Sequence, residues 1–146
     1  MPPAFRFQTI LDYRKRSESE RQMDLAQALQ MVVSLRAQRE RLQSERLHLT
    51  ETLKSALLGQ LDTGSIEREY RYLAGLDQQL RHLTGDLQQA EQVVTERRGE
   101  LAQAVKERKT LERLKEYDHQ SFVTAWQQKE QDEMDELNIT RHASQQ

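Results

Sequence analysis

The sequence predicts an all-α protein in which two long, unequal helices form an antiparallel coiled-coil hairpin. Turn-forming residues are scarce, because the 146 residues include only five glycines and two prolines, and both prolines stand at positions 2 and 3. Sandwiches, barrels and doubly wound sheets need many turns and are therefore excluded. Charged residues make up 32% of the chain, a composition typical of long helices and coiled coils. A seven-residue spacing of apolar residues completes the prediction.

The first helix is predicted over residues 9–58, after an N-terminal tail of residues 1–8. No glycine or proline interrupts this stretch. Arg39 and Arg46 interrupt its heptad pattern, and polar residues in such a seam lower stability and help to fix register. Apolar residues occupy the two seam positions elsewhere: Leu25, Val32 and Leu53 in one, and Ala28, Leu35, Leu42, Leu49 and Ala56 in the other.

A turn is predicted over residues 59–65, and the second helix over residues 66–141, followed by a C-terminal tail of residues 142–146. Gly59 can end the first helix in the left-handed conformation, and Ser65 can cap the second helix. The second helix has the clearest heptad pattern of the chain, which indicates a left-handed coiled-coil seam. Its two series are Ile66, Leu73, Leu80, Leu87, Val94 and Leu101, then Leu76, Leu83, Ala90, Ala104 and Leu111.

The short turn predicts that the second helix runs back antiparallel to the first, so that residue i faces roughly residue 124 − i. The second helix then continues beyond its partner as an overhang from about residue 115. Exposed apolar groups there would mark a partner surface; the alternative is that Phe5 and Phe7 fold onto Phe122 and cover it. The apolar side chains concentrated at this end are Phe5, Phe7, Tyr117, Phe122, Trp126, Met134, Leu137 and Ile139.

The residues indicate no catalytic, cofactor or metal chemistry. The chain has no cysteine, which excludes disulfides and zinc–thiolate sites. It has no glycine-rich phosphate loop, and two helices enclose no pocket that would shield a catalytic serine. Two Glu-x-x-His pairs, Glu45–His48 and Glu116–His119, have the spacing of di-iron bundles. The predicted hairpin separates these pairs by ~55 Å, too far to share metal ions. We therefore predict that the protein is not an enzyme.

Charge and hydropathy exclude two further classes of partner. The 22 basic and 24 acidic residues give a net charge of −2, whereas a nucleic-acid-binding domain is expected to be basic. Apolar runs are too short for membrane insertion. The first ten residues lack the apolar region and cleavage site of a secretory signal, so a cytoplasmic location is expected.

Both ends of the chain resemble the FliJ family of flagellar and type III export proteins. Residues 5–14, Phe-Arg-Phe-Gln-Thr-Ile-Leu-Asp-Tyr-Arg, resemble the family's F-x-F-x-x-[LI]-L-x-x-R opening. Residues 108–116 and 130–137 are similar to its ending, R-K-x-L-E-x-L-x-E followed by E-Q-x-x-[LM]-D-E-[LIF]. The chain length, the unequal hairpin and the absence of cysteine fit this family as well.

The resemblance implies a non-enzymatic part of the protein export machine. Members of the family are similar in shape to the central stalk of rotary ATPases. They insert the end that carries both termini into the hexameric ring of the export ATPase and promote ring assembly. They also contact the cytoplasmic domain of the large export-gate protein of the membrane, and some handle export chaperones. The implied location is cytoplasmic, peripheral at the export apparatus of the inner membrane, in either a flagellar or an injectisome system.

The resemblance also implies two sets of contact residues. Tyr70, Tyr72 and Leu76 match the stretch that the family uses toward the export gate. Leu76 is also a seam residue, so packing alone explains it, whereas Tyr70 and Tyr72 flank the seam. The residues expected to contact the ATPase ring lie near both termini: Phe7, Leu11, Arg14, Leu114, Phe122, Trp126 and Leu137.

Three other functions share parts of this pattern. An RNA-gripping helical arm would need a basic face, which the near-neutral charge balance does not favour. A prefoldin-like chaperone carries β-hairpins between its helices, and the seven residues of the predicted turn leave no room for them. A generic coiled-coil adaptor or chaperone-escort protein, monomeric or dimeric, is the third alternative.

Overall fold

The structure is built from two long α-helices. It is a computed structural model that describes residues 3–59 and 62–144. Helix α1 spans Gln8–Leu58 and helix α2 spans Thr63–Ser144, and no strand occurs among the residues described. The helices pack against each other as an antiparallel hairpin, which confirms the predicted fold class.

The chain divides into two compact units, each of which contains part of both helices. We call Met1–Glu20 together with Ala102–Gln146 the terminal unit, and Arg21–Leu101 the hairpin unit. The hairpin unit contains the connection between the helices. Of the predicted turn, residues 60 and 61 lie outside the described residues.

Ion pairs between the helices give the register of the hairpin unit. Arg36 Nη2 lies 3.3 Å from Glu91 Oε1, and Arg46 Nε pairs with Asp77 Oδ1. The partner's number falls as the first number rises, as antiparallel helices require. In both pairs the two residues lie opposite each other as the sequence predicts, with residue i facing roughly residue 124 − i.

Helix α1 ends without the left-handed glycine that its sequence predicts. Gly59 does not have a positive φ. Its N–H instead donates to the carbonyl of Ala56 at 3.2 Å, a bond over three residues that tightens the last turn. Any residue can adopt this conformation, so the prediction of a glycine-specific cap at position 59 was wrong.

Asp62, and not Ser65, caps helix α2. The Asp62 carbonyl accepts the N–H groups of Ser65 at 3.1 Å and Ile66 at 3.2 Å. Its Oδ1 atom accepts the Gly64 N–H at 3.4 Å. A carboxylate here also complements the positive end of the helix dipole. The helix therefore begins at Thr63, three residues earlier than predicted, and Ser65 lies inside its first turn.

Helix α2 also ends later than predicted, at Ser144. Arg141 and His142 lie in its last turn, where basic side chains favour the negative end of the helix dipole. The predicted C-terminal tail of residues 142–146 is thus helical as far as Ser144. Residues 145–146 lie outside the described residues.

The core of the hairpin unit consists of two apolar clusters on the heptad seam. The first contains Ala28, Val32, Leu87 and Val94, and the second contains Leu49, Leu53 and Leu76. Each is extended by half-buried neighbours from both helices. Burial of these apolar side chains stabilises the unit.

Two arginines of α1 lie in the seam between these clusters. Arg46 pairs with Asp77, and the hydrogen bond to that carboxylate, more than its charge, raises the pKa of the Arg46 guanidinium. Arg39 is half-buried, and its Nε atom is buried without a hydrogen-bond partner. An unpaired buried donor costs free energy, so this layer is a weak point of the unit.

Candidate functional site

The segment before α1 forms one wall of an open cleft in the terminal unit. Helix α1 begins at Gln8, one residue earlier than predicted, and the Gln8 N–H donates to the Phe5 carbonyl at 3.0 Å. The Phe5 and Phe7 rings pack edge to face with centroids 5.8 Å apart. The Arg6 guanidinium lies 4.7 Å from the Phe7 centroid, a cation–π contact.

The cleft has a volume of about 710 Å³ and lies between this segment and α2. Phe5 and Phe122 contribute its aromatic surface. Both side chains are half-buried. Phe122 is partly covered by its own chain, and binding of a partner at this end stays a prediction. The cleft is also lined by the charged side chains of Arg6, Lys115 and Asp118 and by the imidazole of His119.

Beyond Phe122, every described residue of α2 is exposed. The Phe122 and Trp126 rings stack with centroids 6.3 Å apart and an interplanar angle of 28°. Trp126 remains 51% exposed, and its Nε1–H donates to Glu130 Oε1 at 3.0 Å. Leu137 is 61% exposed. The largest accessible apolar side chains predicted for ring binding are therefore on this segment.

The other predicted ring residues are less accessible. The Leu11 side chain is only 1% exposed, so it cannot touch a partner while the helices are packed. Phe7 and Leu114 are half-buried. Arg14 is half-buried as well, and its Nη1 atom lies 2.6 Å from Glu107 Oε2. Leu11 and Arg14 thus hold α1 against α2, and only Phe7 and Leu114 of this set offer partial surface.

Polar contacts between the helices reinforce the terminal unit, and sequence reasoning missed them. Arg108 of α2 pairs with Glu18 of α1, and within its own helix its Nη1 atom also lies 2.7 Å from Glu112 Oε2. The hydrogen bond to Glu18 is the main cause of a raised pKa of the Arg108 guanidinium. Lys115 Nζ donates to Gln8 Oε1 at 2.9 Å. The sequence signal that could have revealed these pairs is opposite charge at positions of α1 and α2 that face each other in the antiparallel register.

The candidate gate residues lie in the hairpin unit. Tyr70 is 48% exposed and Tyr72 is 51% exposed, whereas Leu76 is only 3% exposed. The Tyr72 hydroxyl donates to the Glu45 carboxylate, and this hydrogen bond, followed by desolvation, raises the pKa of Tyr72. Tyr70 and Tyr72 are accessible to a partner, and Leu76 belongs to the packed seam.

The two Glu-x-x-His pairs belong to different units. Glu45 and His48 belong to the hairpin unit, and Glu116 and His119 to the terminal unit. Within residues 3–59 and 62–144, no group of three or more His, Cys, Asp or Glu side chains is arranged to hold a metal ion. No helix in this part of the chain is long and apolar enough to cross a membrane.

Comparison with known proteins bears on the identity of the chain. A family model described as "Flagellar FliJ protein" matches residues 3–146, nearly the whole sequence. No curated protein and no solved structure matches the chain. The family match includes both units and the motifs at both ends. The chain therefore belongs to the FliJ family, whose members are non-catalytic components of the flagellar protein export apparatus.

Proposed function

We propose that this protein is the central stalk of the export apparatus, which binds the hexameric ring of the export ATPase and promotes its assembly. The exposed end of α2 supports this proposal most directly. Trp126, which stacks on the half-buried Phe122, and Leu137, farther along α2, present large apolar side chains to solvent. Exposed apolar groups of this kind mark partner surfaces, and aromatic residues dominate their energetics. The site of action would be cytoplasmic, at the inner-membrane export apparatus.

The segment beyond Phe122 offers a different surface on each side of α2. Trp126 and Glu130 are one helical turn apart and share one side, while Ile139 lies on the other. The subunits of a surrounding ring would therefore meet different side chains. A bound stalk favours one conformation of a subunit only if it binds that conformation more tightly than the other. Because the two sides of α2 differ, each subunit would meet different contacts and could be held in a different conformation.

Replacing Phe122 and Trp126 together by alanine tests the ring contact. Adding the wild-type protein to its purified export ATPase is expected to raise both ATP hydrolysis and the yield of hexamer. The double variant should need an about tenfold higher concentration for half-maximal stimulation, because truncating an aromatic anchor costs more than ~1 kcal/mol of binding free energy. Hydrolysis rates across a titration, with hexamer measured by sedimentation, provide the readout.

A matched control removes two exposed apolar side chains from the hairpin unit. Met23 and Val33 are each 64% exposed, and replacing both by alanine should leave stimulation unchanged. If the Phe122/Trp126 variant reaches half-maximal stimulation at the same concentration as the wild type, the ring binds elsewhere on the chain. A wild-type protein that neither binds nor stimulates the ATPase would contradict the proposed function itself.

The hairpin unit is proposed to contact the cytoplasmic domain of the export-gate protein. Tyr70 and Tyr72 supply half-exposed aromatic surface there, and tyrosine is enriched among the energetically dominant residues of interfaces. Leu76 would contribute by keeping α2 packed in place. Export chaperones are a further proposed class of partner, on the basis of family membership alone.

Replacing Tyr70 and Tyr72 by alanine is expected to weaken binding to the purified gate domain about fivefold, since two interfacial aromatic side chains are lost. Calorimetry or surface-immobilised binding measures this change. Stimulation of the ATPase should stay at the wild-type level, because both residues belong to the hairpin unit. Replacing Tyr117, which is 67% exposed in the terminal unit, should leave gate binding unaltered. If the Tyr70/Tyr72 variant binds the gate domain as tightly as the wild type does, these two residues are not part of the gate contact.

A further inference from the structure

Beyond Phe122, helix α2 carries a second apolar stripe. The exposed side chains of Val123, Trp126, Met134 and Leu137 follow one another at steps of three, eight and three residues. At 3.6 residues per turn, these positions fall within about 80° of the helix circumference. They therefore form one face that a single partner groove can cover.

This stripe is not the continuation of the seam that packs against α1. Ala104 is buried, and Leu111 and Phe122 are half-buried, so these residues define the packed side of α2 in the terminal unit. Helical geometry places the middle of the stripe about a quarter of a turn away from them, and Trp126 at its near edge stacks on Phe122. The stripe is thus a separate surface, available while the helices remain packed.

A carboxylate lies in the middle of the stripe. Glu130 is one turn beyond Trp126 and one turn before Met134, and its Oε1 atom accepts the Trp126 Nε1–H at 3.0 Å. Glu130 takes part in none of the ion pairs formed within the described residues. A partner that covers the apolar stripe must also cover this charge. Burying a carboxylate is unfavourable unless a cation pairs with it.

We propose that the stripe docks in an apolar groove of its partner and that the groove presents an arginine to Glu130. This inference rests on the proposed function, so the partner is a subunit of the export ATPase. Arginine fits better than lysine, because its planar guanidinium donates to both carboxylate oxygens and can stack on the neighbouring Trp126 ring. The arginine would lie between the contact sites of Trp126 and Met134, and it would fix the depth to which α2 enters the ring.

Two single-charge variants separate this pairing from general electrostatic attraction. Glu130→Gln keeps the shape of the side chain and its ability to accept the Trp126 hydrogen bond. Asp135→Asn removes the same charge about 140° away around the helix. Both positions are exposed, and Asp135 Oδ1 only accepts a hydrogen bond from Gln131 at 3.3 Å. Neither change removes a packed contact, so both variants should fold normally.

Binding of the full-length chain to the purified export ATPase of the same organism is measured over a range of salt concentrations. Glu130→Gln should weaken binding at least ~30-fold at low salt, because the partner's arginine is left buried and unpaired. It should also reduce the salt dependence. Asp135→Asn should stay within about twofold of the wild type, as an exposed charge contributes little.

The outcomes distinguish this inference from the proposed function. Wild-type binding with an unchanged Glu130→Gln affinity overturns the arginine pairing alone. Equal losses in Glu130→Gln and Asp135→Asn also overturn it, because they indicate non-specific attraction to the acidic segment. Failure of the wild-type chain to bind the ATPase overturns the proposed function and this inference with it.

Discussion

The Leu76→Ala variant is expected to lose about 2–5 kcal/mol of unfolding free energy. Leu76 is 3% exposed and packs with Leu49 and Leu53 of the facing helix. Removing most of its side chain leaves a cavity that the surrounding seam residues close only in part. A small protein is stable by about 5–15 kcal/mol in total, so the loss is a large fraction. Urea unfolding followed by circular dichroism measures it.

Leu47→Ala is the matched control, because Leu47 is 62% exposed. Its unfolding free energy should stay within about 0.5 kcal/mol of the wild type. The pair also tests the role assigned to Leu76 at the gate. A Leu76→Ala protein of wild-type stability that no longer binds the gate domain would show that Leu76 touches the partner directly, against its packing in the seam.

Replacing Gly75, Gly85 and Gly99 together by alanine is expected to raise the unfolding free energy by about 2–3 kcal/mol. Each glycine lies inside α2, and an added Cβ atom would meet nothing within 4 Å. Alanine restricts the unfolded chain and favours the helix by about 0.8–1.0 kcal/mol per site. The sites are at least ten residues apart, or ~15 Å along the helix, so their effects should add.

The reverse substitution gives the control for this gain. Ala74 is exposed beside Gly75, and Ala74→Gly should lower the unfolding free energy by about 1 kcal/mol. Thermal unfolding of the wild type and both variants measures the differences. A triple variant that is no more stable than the wild type would mean that the glycine positions are packed more closely in solution than the structure shows.

The heptad repeats predicted the fold because a seven-residue apolar period has one low-energy solution, a helix packed along a seam. The same residues, from Val32 and Leu87 to Leu53 and Leu76, form the clusters of the hairpin unit. Family motifs at both ends then pointed to flagellar export, and the family match confirms that identity.

Features that depend on short polar contacts were predicted less well. Asp62 and Ser65 are both good caps by type, and only the path of the backbone decides between them. The ring and gate residues were chosen by motif, which does not distinguish contact from packing. Leu11 and Leu76 fit the motifs and are buried, whereas Glu130 was not singled out and occupies the centre of an exposed apolar stripe.

The exposed stretch of α2 from residue 123 to residue 144 has a consequence for the lifetime of the protein. Tertiary packing supplies most of the stability of a protein helix, and every residue of this stretch is exposed. Its amides therefore open and exchange with solvent more readily than those of the seam, and proteases cleave such open segments first. Copies made in excess of their partner would be trimmed, and only engaged copies would keep their C-terminal end. Under the proposed function, degradation would thus match the amount of this protein to the number of assembled export machines.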